Sequence, residues 1–440
     1  MRQAIVLIHG IGEPRPMSTL RAFVDGVIEN EVGLGRVVRS KPDRLSESFE
    51  LRRLVVDGTR SRPATDCYEL YWAHHMAGNT LAHLWPLARL LLLRWPTRVP
   101  RVLLPLWALT WTLLVGLAWS WTHTDPEALD TLRLSNPIWW LAGTVAVLAL
   151  QYVAAKFLGD AARYLSPTPD NVAIRHAIRS EGVRVLRRIQ RKTDYDRIIV
   201  VGHSLGSVIG YDILTHLWDE CNTVHNKPDR PNQKALRDLQ TAGDKLDPEK
   251  PETRTAYREA QRALWCEQRS HGNPWLITDF ITLGSPLTYA ALLFAEDAAE
   301  LMTRQSDREL PTCPPQKDDG KYYYRPKKTY DVGGKPRTLF LLHHAAPFAV
   351  TRWTNLFVPL RFGLLGDWVG GPLRAAFGVG IEDVPVADSW VRHLPLYGHI
   401  RYWHVKSRGS LASLKRALDL NSREWLPKRQ ADETPETSQT

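Results

Sequence analysis

The chain has 440 residues, of which 44% are hydrophobic and 24% charged. That excludes a wholly disordered or collagen-like chain and fits one large α/β domain with insertions, or two domains. The net charge of +10 admits nucleic acid or an anionic membrane surface as a partner, and the four cysteines (Cys67, Cys221, Cys266, Cys313) share no metal-ligand spacing, so neither a zinc ribbon nor a disulfide framework is expected.

Residues 4–8 (AIVLI) form a short, uniformly apolar, β-rich run, which predicts a strand buried on both faces as in a parallel sheet. The run is too short for the core of a secretory signal, so the N-terminal part is expected to begin in the cytoplasm, with its cysteines reduced. His9-Gly10-Ile11-Gly12 ends the strand, and a helix is predicted over 18–30. Two more strands are predicted over 49–56 and 67–72, with Asp57-Gly58 as a turn signal between them.

From residue 81 the pattern changes. Nine of the 17 tryptophans lie between Trp72 and Trp140. Residues 81–93 are apolar but carry His83 and Arg89. Residues 102–121 and 137–155 hold no charged side chain over 20 and 19 positions, separated by a polar stretch with Asp125, Glu127 and Asp130. Each run, if helical, spans about 30 Å, the thickness of a bilayer's hydrocarbon. Arg89, Arg94, Arg98 and Arg101 precede the first run, and Lys156 and Arg163 follow the second. This pattern predicts a transmembrane hairpin with both ends, and the remaining domain, on the cytoplasmic side; in a bacterium that is the inner membrane. A buried or shallowly docked helical pair is the competing expectation.

An amphipathic helix is predicted over 171–191, with Ile174, Ile178, Val185, Leu186 and Ile189 on one face and Asp170 as N-cap. Its arginines (175, 179, 184, 187, 188 and 191) have no stacking aromatics interleaved, so a solvated basic face beside an anionic membrane surface is expected, and no nucleic acid. Residues 197–201 (RIIVV) predict a second buried strand and 205–218 a helix. Residues 219–273 form a charged insertion, helical over 252–269, which suits a lid or a solvated surface. Residues 280–283 (FITL) predict a third buried strand and 351–357 a further one. Between these two, 301–337 is rich in Pro, Lys, Tyr and Gly and reads as loop. Residues 427–440 read as a solvated tail.

The strongest chemical signal is Gly202-His203-Ser204-Leu205-Gly206, placed directly between a buried strand and an amphipathic helix. That is the context of a nucleophile elbow, in which a strained turn lifts a serine hydroxyl clear of the sheet edge. The small residues at 202 and 206 leave room for the bend. The N–H of Leu205, at the helix N-terminus, then faces any oxyanion formed at the serine.

With this motif, the stretches VLIHGIG, RIIVVGHSLG, FITLGSPL, WTNLF…GDWVGG and YGHIRYW resemble an α/β-hydrolase of the lipase/esterase type. The resemblance is to the branch that holds bacterial membrane-associated hydrolases and lipases like the GPI-inositol deacylases. It covers under half the chain, in the order that fold requires. It implies a mostly parallel central sheet flanked by helices, into which the apolar hairpin is inserted. It also implies an oxyanion hole from the backbone N–H groups of Ile11 and Leu205, with His9 structural. A serine needs a histidine base and an orienting carboxylate, and in this fold the order is Ser, acid, His. The resemblance points to His399 in YGHIRYW, with His393 as the alternative. It points to Asp367 as the acid, although the VPLRFGLL stretch after the strand is longer than usual, so Asp383 and Asp388 stay open. Gly284-Ser285-Pro286 reads as a strand end with Ser285 capping a helical turn. The pairs His74-His75 and His343-His344 would, in strands, point to opposite faces, so no metal and no cofactor is expected.

The domain reading is 1–80 for the first part of the hydrolase domain and 81–165 for the membrane-associated insertion. The nucleophile part follows at 166–218, the charged insertion at 219–273, the part carrying acid and histidine at 274–426, and the tail at 427–440. The expected function is a membrane-anchored serine hydrolase cleaving carboxylic esters of membrane lipids or acylated small molecules. An acyltransferase with the same triad, or a catalytically silent membrane adaptor, are the alternatives. Nothing in the sequence speaks to oligomeric state.

Overall fold

The computed structural model describes residues 2–11, 15–29, 38–46, 49–59, 62–76, 95–96, 104–122, 141–145, 164, 169–191, 194–225, 233–327, 329–332, 335–361, 366–386 and 397–421. Its centre is an eight-stranded sheet. The strands are β1 (Arg2–Ile8), β2 (Val38–Pro42), β3 (Arg52–Val56), β4 (Ala64–Leu70), β5 (Arg197–His203), β6 (Ile277–Leu283), β7 (Arg352–Phe357) and β8 (Glu382–Pro385). Their spatial order is β8-β7-β6-β5-β1-β4-β3-β2. The six from β8 to β4 are mutually parallel, and β3 and β2 add an antiparallel edge. The fold is therefore α/β with a mostly parallel sheet, as expected.

The apolar runs form strands because both faces of the sheet are covered. Along β1, Ala4, Val6 and Ile8 enter one core, while Ile5 and Leu7 enter the other. Along β5, Ile198 and Val200 alternate with Ile199 and Val201 in the same way. Helices α3 (Pro169–Arg191), α4 (Leu205–Cys221), α5 (Lys234–Asp244) and α6 (Pro251–Ser270) supply the first core. Helices α1 (Ser18–Val24) and α8 (Arg408–Leu418) supply the second. The charged insertion is thus built into a layer of the sandwich: Leu236, Leu239, Tyr257, Leu264 and Trp265 lie in the main core. The arginines of α3 act largely between elements. Arg179 pairs with Asp212 at 2.5 Å, Arg187 pairs with Glu220, and Arg188 donates to the Leu45 carbonyl. The stretch read as loop opens inside helix α7 (Ala298–Ser306), holds the antiparallel pair of Tyr330–Val332 with Lys335–Arg337, and contributes Tyr323–Tyr324 to a second pair with Leu341–Leu342.

The expectation of a transmembrane hairpin, and with it a multi-pass membrane location, is corrected. No helix among the described residues is long and apolar enough to cross a membrane. The first run forms helix α2 (Leu104–Thr122), whose tryptophans, threonines, serine and proline dilute its aliphatic content. Its Leu109 and Leu113 pack against Trp368 in the loop after β7, so part of its apolar surface is used within the protein. Of the second run only 141–145 is described, as helix, and Gly143 stands against Leu113. Residues 81–93, the polar stretch between the runs and the 427–440 tail lie outside the described residues.

Candidate active site

Strand β1 is flanked by β4 on one side and β5 on the other, so the chain reverses its winding direction there. Crevices at such switch points, beyond the C-terminal ends of parallel strands, are where α/β sheets bind ligands. Three sequence-predicted residues converge at this end. Ser204 follows β5, Asp367 follows β7, and His399 follows β8.

Ser204 sits at φ 51°, ψ −127° between β5 and α4, a backbone conformation that costs a non-glycine residue about 1–3 kcal/mol. The turn is held by Ser204 N–H donating to the Leu283 carbonyl at 2.9 Å and by Ser207 N–H donating to the Ser204 carbonyl at 2.9 Å. A Cβ on Gly206 would fall 2.2 Å from the Ile8 carbonyl, so only glycine lets α4 start this close to β1. Ser204 is 1% exposed, so the turn that carries it past the end of β5 is covered by the surrounding chain. Its Oγ is buried and has no hydrogen-bond partner among the described residues.

His399 and Asp367 are fully buried and paired, Nδ1 to Oδ2 at 2.9 Å. Asp367 is held on every side. Its Oδ1 accepts from the N–H groups of Val369 and Gly370 at 2.9 and 3.1 Å, and its Oδ2 also accepts from the Tyr402 hydroxyl at 2.9 Å. Burial alone would push this carboxyl up, but the charge and hydrogen bond of His399 and the two N–H groups outweigh it and hold it below its ordinary value. Asp367 is therefore an anion at neutral pH. It fixes the His399 proton on Nδ1, which leaves Nε2 as the basic nitrogen.

The pair is tied to the serine turn from two directions. Gly284, which follows the Leu283 that accepts from Ser204, adopts φ +56°, and a Cβ there would stand 2.8 Å from His399 Nδ1 and 2.9 Å from Asp367 Oδ2. His203, the neighbour of Ser204, donates from Nε2 to the His399 carbonyl at 2.8 Å. Burial, and then the neighbouring His399, lower His203 to about 3, so it stays neutral and serves as a strut. His203 and Tyr402 are the residues that sequence reasoning left without a role, although both lie inside the quoted motifs.

The loop after β1 closes the other side. A Cβ on Gly10 would lie 2.8 Å from the Ser204 Cβ, which places the chain entering Ile11 against the serine. Leu205 opens α4, so its N–H belongs to the first-turn donors that a helix leaves unsatisfied. His9 is structural, as expected. Its Nδ1 donates to the Gly10 carbonyl at 2.8 Å, its Nε2 accepts from Trp72 N–H at 3.3 Å, and its ring stacks on Trp72. Burial lowers it to about 4.

The alternatives fall elsewhere. The Asp383 carboxylate accepts from the N–H groups of Leu373 and Arg374 and from the Asn355 amide, which makes it a brace for the loop after β7. Asp388 and His393 lie outside the described residues. Ser285 caps the turn Pro286–Tyr289 by accepting from Leu287 N–H, as expected, and its hydroxyl is bound to Ser207 Oγ at 2.6 Å. The pair His74-His75 lies in a 3₁₀ turn (Ala73–Met76), so the opposed directions expected of a strand do not apply to it.

Compared with known protein families, curated proteins and solved structures, the chain matches none. A strained serine, an imidazole oriented through Nδ1 by a buried carboxylate, and a helix N-terminus beside the serine are the parts needed for acyl transfer through a covalent intermediate.

Proposed function

We propose that the protein is a serine hydrolase of the α/β-hydrolase type that cleaves carboxylic esters through Ser204, His399 and Asp367. The observation that carries this reading is the buried His399–Asp367 pair, braced against a serine in a strained strand-to-helix turn. In the reaction Ser204 Oγ attacks the ester carbonyl carbon as His399 Nε2 takes the hydroxyl proton. The tetrahedral oxyanion is held by the N–H groups of Ile11 and Leu205. On collapse, the alcohol leaves with the proton from His399, and the acyl group stays on Ser204. Water activated by His399 then releases the acid and restores the hydroxyl. Asp367 keeps its negative charge throughout and stabilises the imidazolium.

An acyl or lipid ester suits the surroundings. Trp368, next to Asp367, contacts Leu109 and Leu113 of α2 and Leu360, an apolar cluster beside the acid loop. One observation keeps acyl transfer to an alcohol as a second reading: a nucleophile only 1% exposed restricts the access of water to the acyl-enzyme.

The test is labelling by a fluorophosphonate together with turnover of short- and long-chain aryl esters. The wild type should label and turn over, and Ser204→Ala should do neither while giving the same circular dichroism and unfolding midpoint. Labelling that persists in Ser204→Ala moves the nucleophile elsewhere. A folded wild type that neither labels nor turns over any ester overturns the reading. Product analysis with a competing alcohol separates hydrolysis from transfer.

A further inference from the structure

Beside the serine site, on the same end of the sheet, the turn after β4 meets helix α3. His75 Nε2 lies 2.8 Å from Glu181 Oε2, and His74 Nε2 lies 3.7 Å from the same oxygen. The three potential donor atoms lie within 4.8 Å of one another, and the two imidazole centroids are 3.9 Å apart. Sequence neighbours converge this way because the segment is a 3₁₀ turn (Ala73–Met76), in which successive side chains are not sent to opposite faces as they are in a strand.

We propose that His74, His75 and Glu181 form a binding site for a divalent transition-metal ion of the zinc class, with a fourth coordination position open to solvent. Two imidazoles and one carboxylate are the donor set of an open three-ligand zinc site. Donors about 2.0–2.1 Å from a tetrahedral ion stand roughly 3.3–3.4 Å apart. The observed 2.8 and 3.7 Å bracket that separation, so small rotations of side chains that are a half, a quarter and a sixth exposed would admit the ion. The nitrogen-rich set selects against Mg²⁺ and Ca²⁺, which take oxygen donors.

The placement gives such an ion a consequence. His74 stacks on Tyr71, and Tyr71 contacts the ring of His9 at 5.2 Å. Trp72 holds His9 through two hydrogen bonds, and His9 precedes the Gly10 that lies against Ser204. An ion joining α3 to this turn would therefore fix the segment that backs the loop beside the serine. An ion bound only by the folded chain also stabilises it by mass action.

The experiment uses untagged full-length protein freed of metal by chelation and dialysis. Zn²⁺ uptake is measured by elemental analysis and calorimetry, and Co²⁺ is used as a spectroscopic probe of coordination. The expected result is one equivalent of Zn²⁺ retained after dialysis, a visible four-coordinate Co²⁺ spectrum, and an unfolding midpoint raised by Zn²⁺ but not by Mg²⁺. Loss of a mere outer-shell partner weakens metal sites by about 10–100-fold, so His74→Ala and Glu181→Gln should each weaken binding by more than about tenfold. Both side chains are partly exposed, so these variants should stay folded, and their circular dichroism verifies it. Equal Zn²⁺ binding by the wild type and the folded double variant, or no uptake by the wild type, overturns the proposal. Neither outcome depends on Ser204 chemistry, so the test stands apart from the hydrolase reading.

Discussion

Asp367 Oδ2 receives two donors, His399 Nδ1–H and the Tyr402 hydroxyl, while Oδ1 receives two backbone N–H groups. In Asp367→Asn the backbone donors retain the amide oxygen at the Oδ1 position, which turns the NH₂ group toward His399. His399 Nδ1 must then accept, its proton moves to Nε2, and the base is lost. Ester turnover should fall by about four powers of ten with little change in fold, measured as kcat beside circular dichroism. Tyr402→Phe removes one neutral donor to the carboxylate, a bond worth roughly 1.5–3 kcal/mol, so kcat should fall about ten- to a hundredfold with KM nearly unchanged. A Tyr402→Phe enzyme with normal kcat would make that hydroxyl a packing feature only. At this scale the chain order of Ser204, Asp367 and His399 was legible because each lies in a recognisable stretch beside a strand end. The part of Tyr402 was not. It depends on the turn after His399 bringing a hydroxyl back to a residue 35 positions earlier, and no local spacing encodes that return.

Elements were legible where burial was two-sided and obscure where it was not. AIVLI, RIIVV and FITL declare β1, β5 and β6 because every position is buried. The edge strand β2 is VRSKP, mostly exposed, and carries no apolar pattern to betray it. Helix α6 hides a core face of Tyr257, Leu264 and Trp265 under a charged composition. The 102–121 run carries no charge over a bilayer's length, yet four tryptophans, two threonines and a serine stand among its 20 residues and dilute its aliphatic side chains. Helix α1 shows a further device that sequence reading does not reach. It starts at Met17 in a left-handed conformation with no side-chain cap of its own, and Glu69 of β4 supplies the missing acceptor to Met17 N–H at 2.7 Å. Burial raises Glu69 from 4.5 to about 7, against the opposing pull of the backbone N–H it accepts from. A carboxyl raised on folding adds stability below its unfolded value, and that stability is lost as pH rises through the folded one. Glu69→Gln removes this titration. Relative to the wild type the variant should gain roughly 3 kcal/mol between about pH 4.5 and pH 8, measured by urea unfolding at both ends. A stability difference that does not change with pH would mean that Glu69 does not titrate in this window.

Across the whole molecule the two ends of the sheet carry different work. The C-terminal ends of β5 and the loops after β7 and β8 hold the serine, the acid and the histidine, while an ion network closes the opposite end. There Asp279 of β6 pairs with Arg352 of β7 at 2.5 Å and lies 4.0 Å from Arg197 of β5. Arg197 is 1% exposed and also donates to Gln3 of β1 and to the Leu418 and Asp419 carbonyls at the end of α8. One guanidinium thus joins two strands to the C-terminus of a helix, where a positive charge is favoured by the helix dipole. Asp279→Ala would leave Arg197 and Arg352 without their shared carboxylate, and breaking a buried pair from one side typically costs about 3–5 kcal/mol. Asp279 lies four strand positions before Leu283, which holds the Ser204 turn, roughly 13 Å of chain. The loss should therefore show in unfolding and not in chemistry. Asp279→Ala should unfold at markedly lower urea concentration, yet label with a fluorophosphonate at the wild-type rate per folded molecule at low temperature. Unchanged stability would mean that solvent already satisfies both arginines. Labelling lost in a variant that remains folded would mean that strain at the N-terminal ends of the strands reaches Ser204, and the separation between the two ends of the sheet would have to be abandoned.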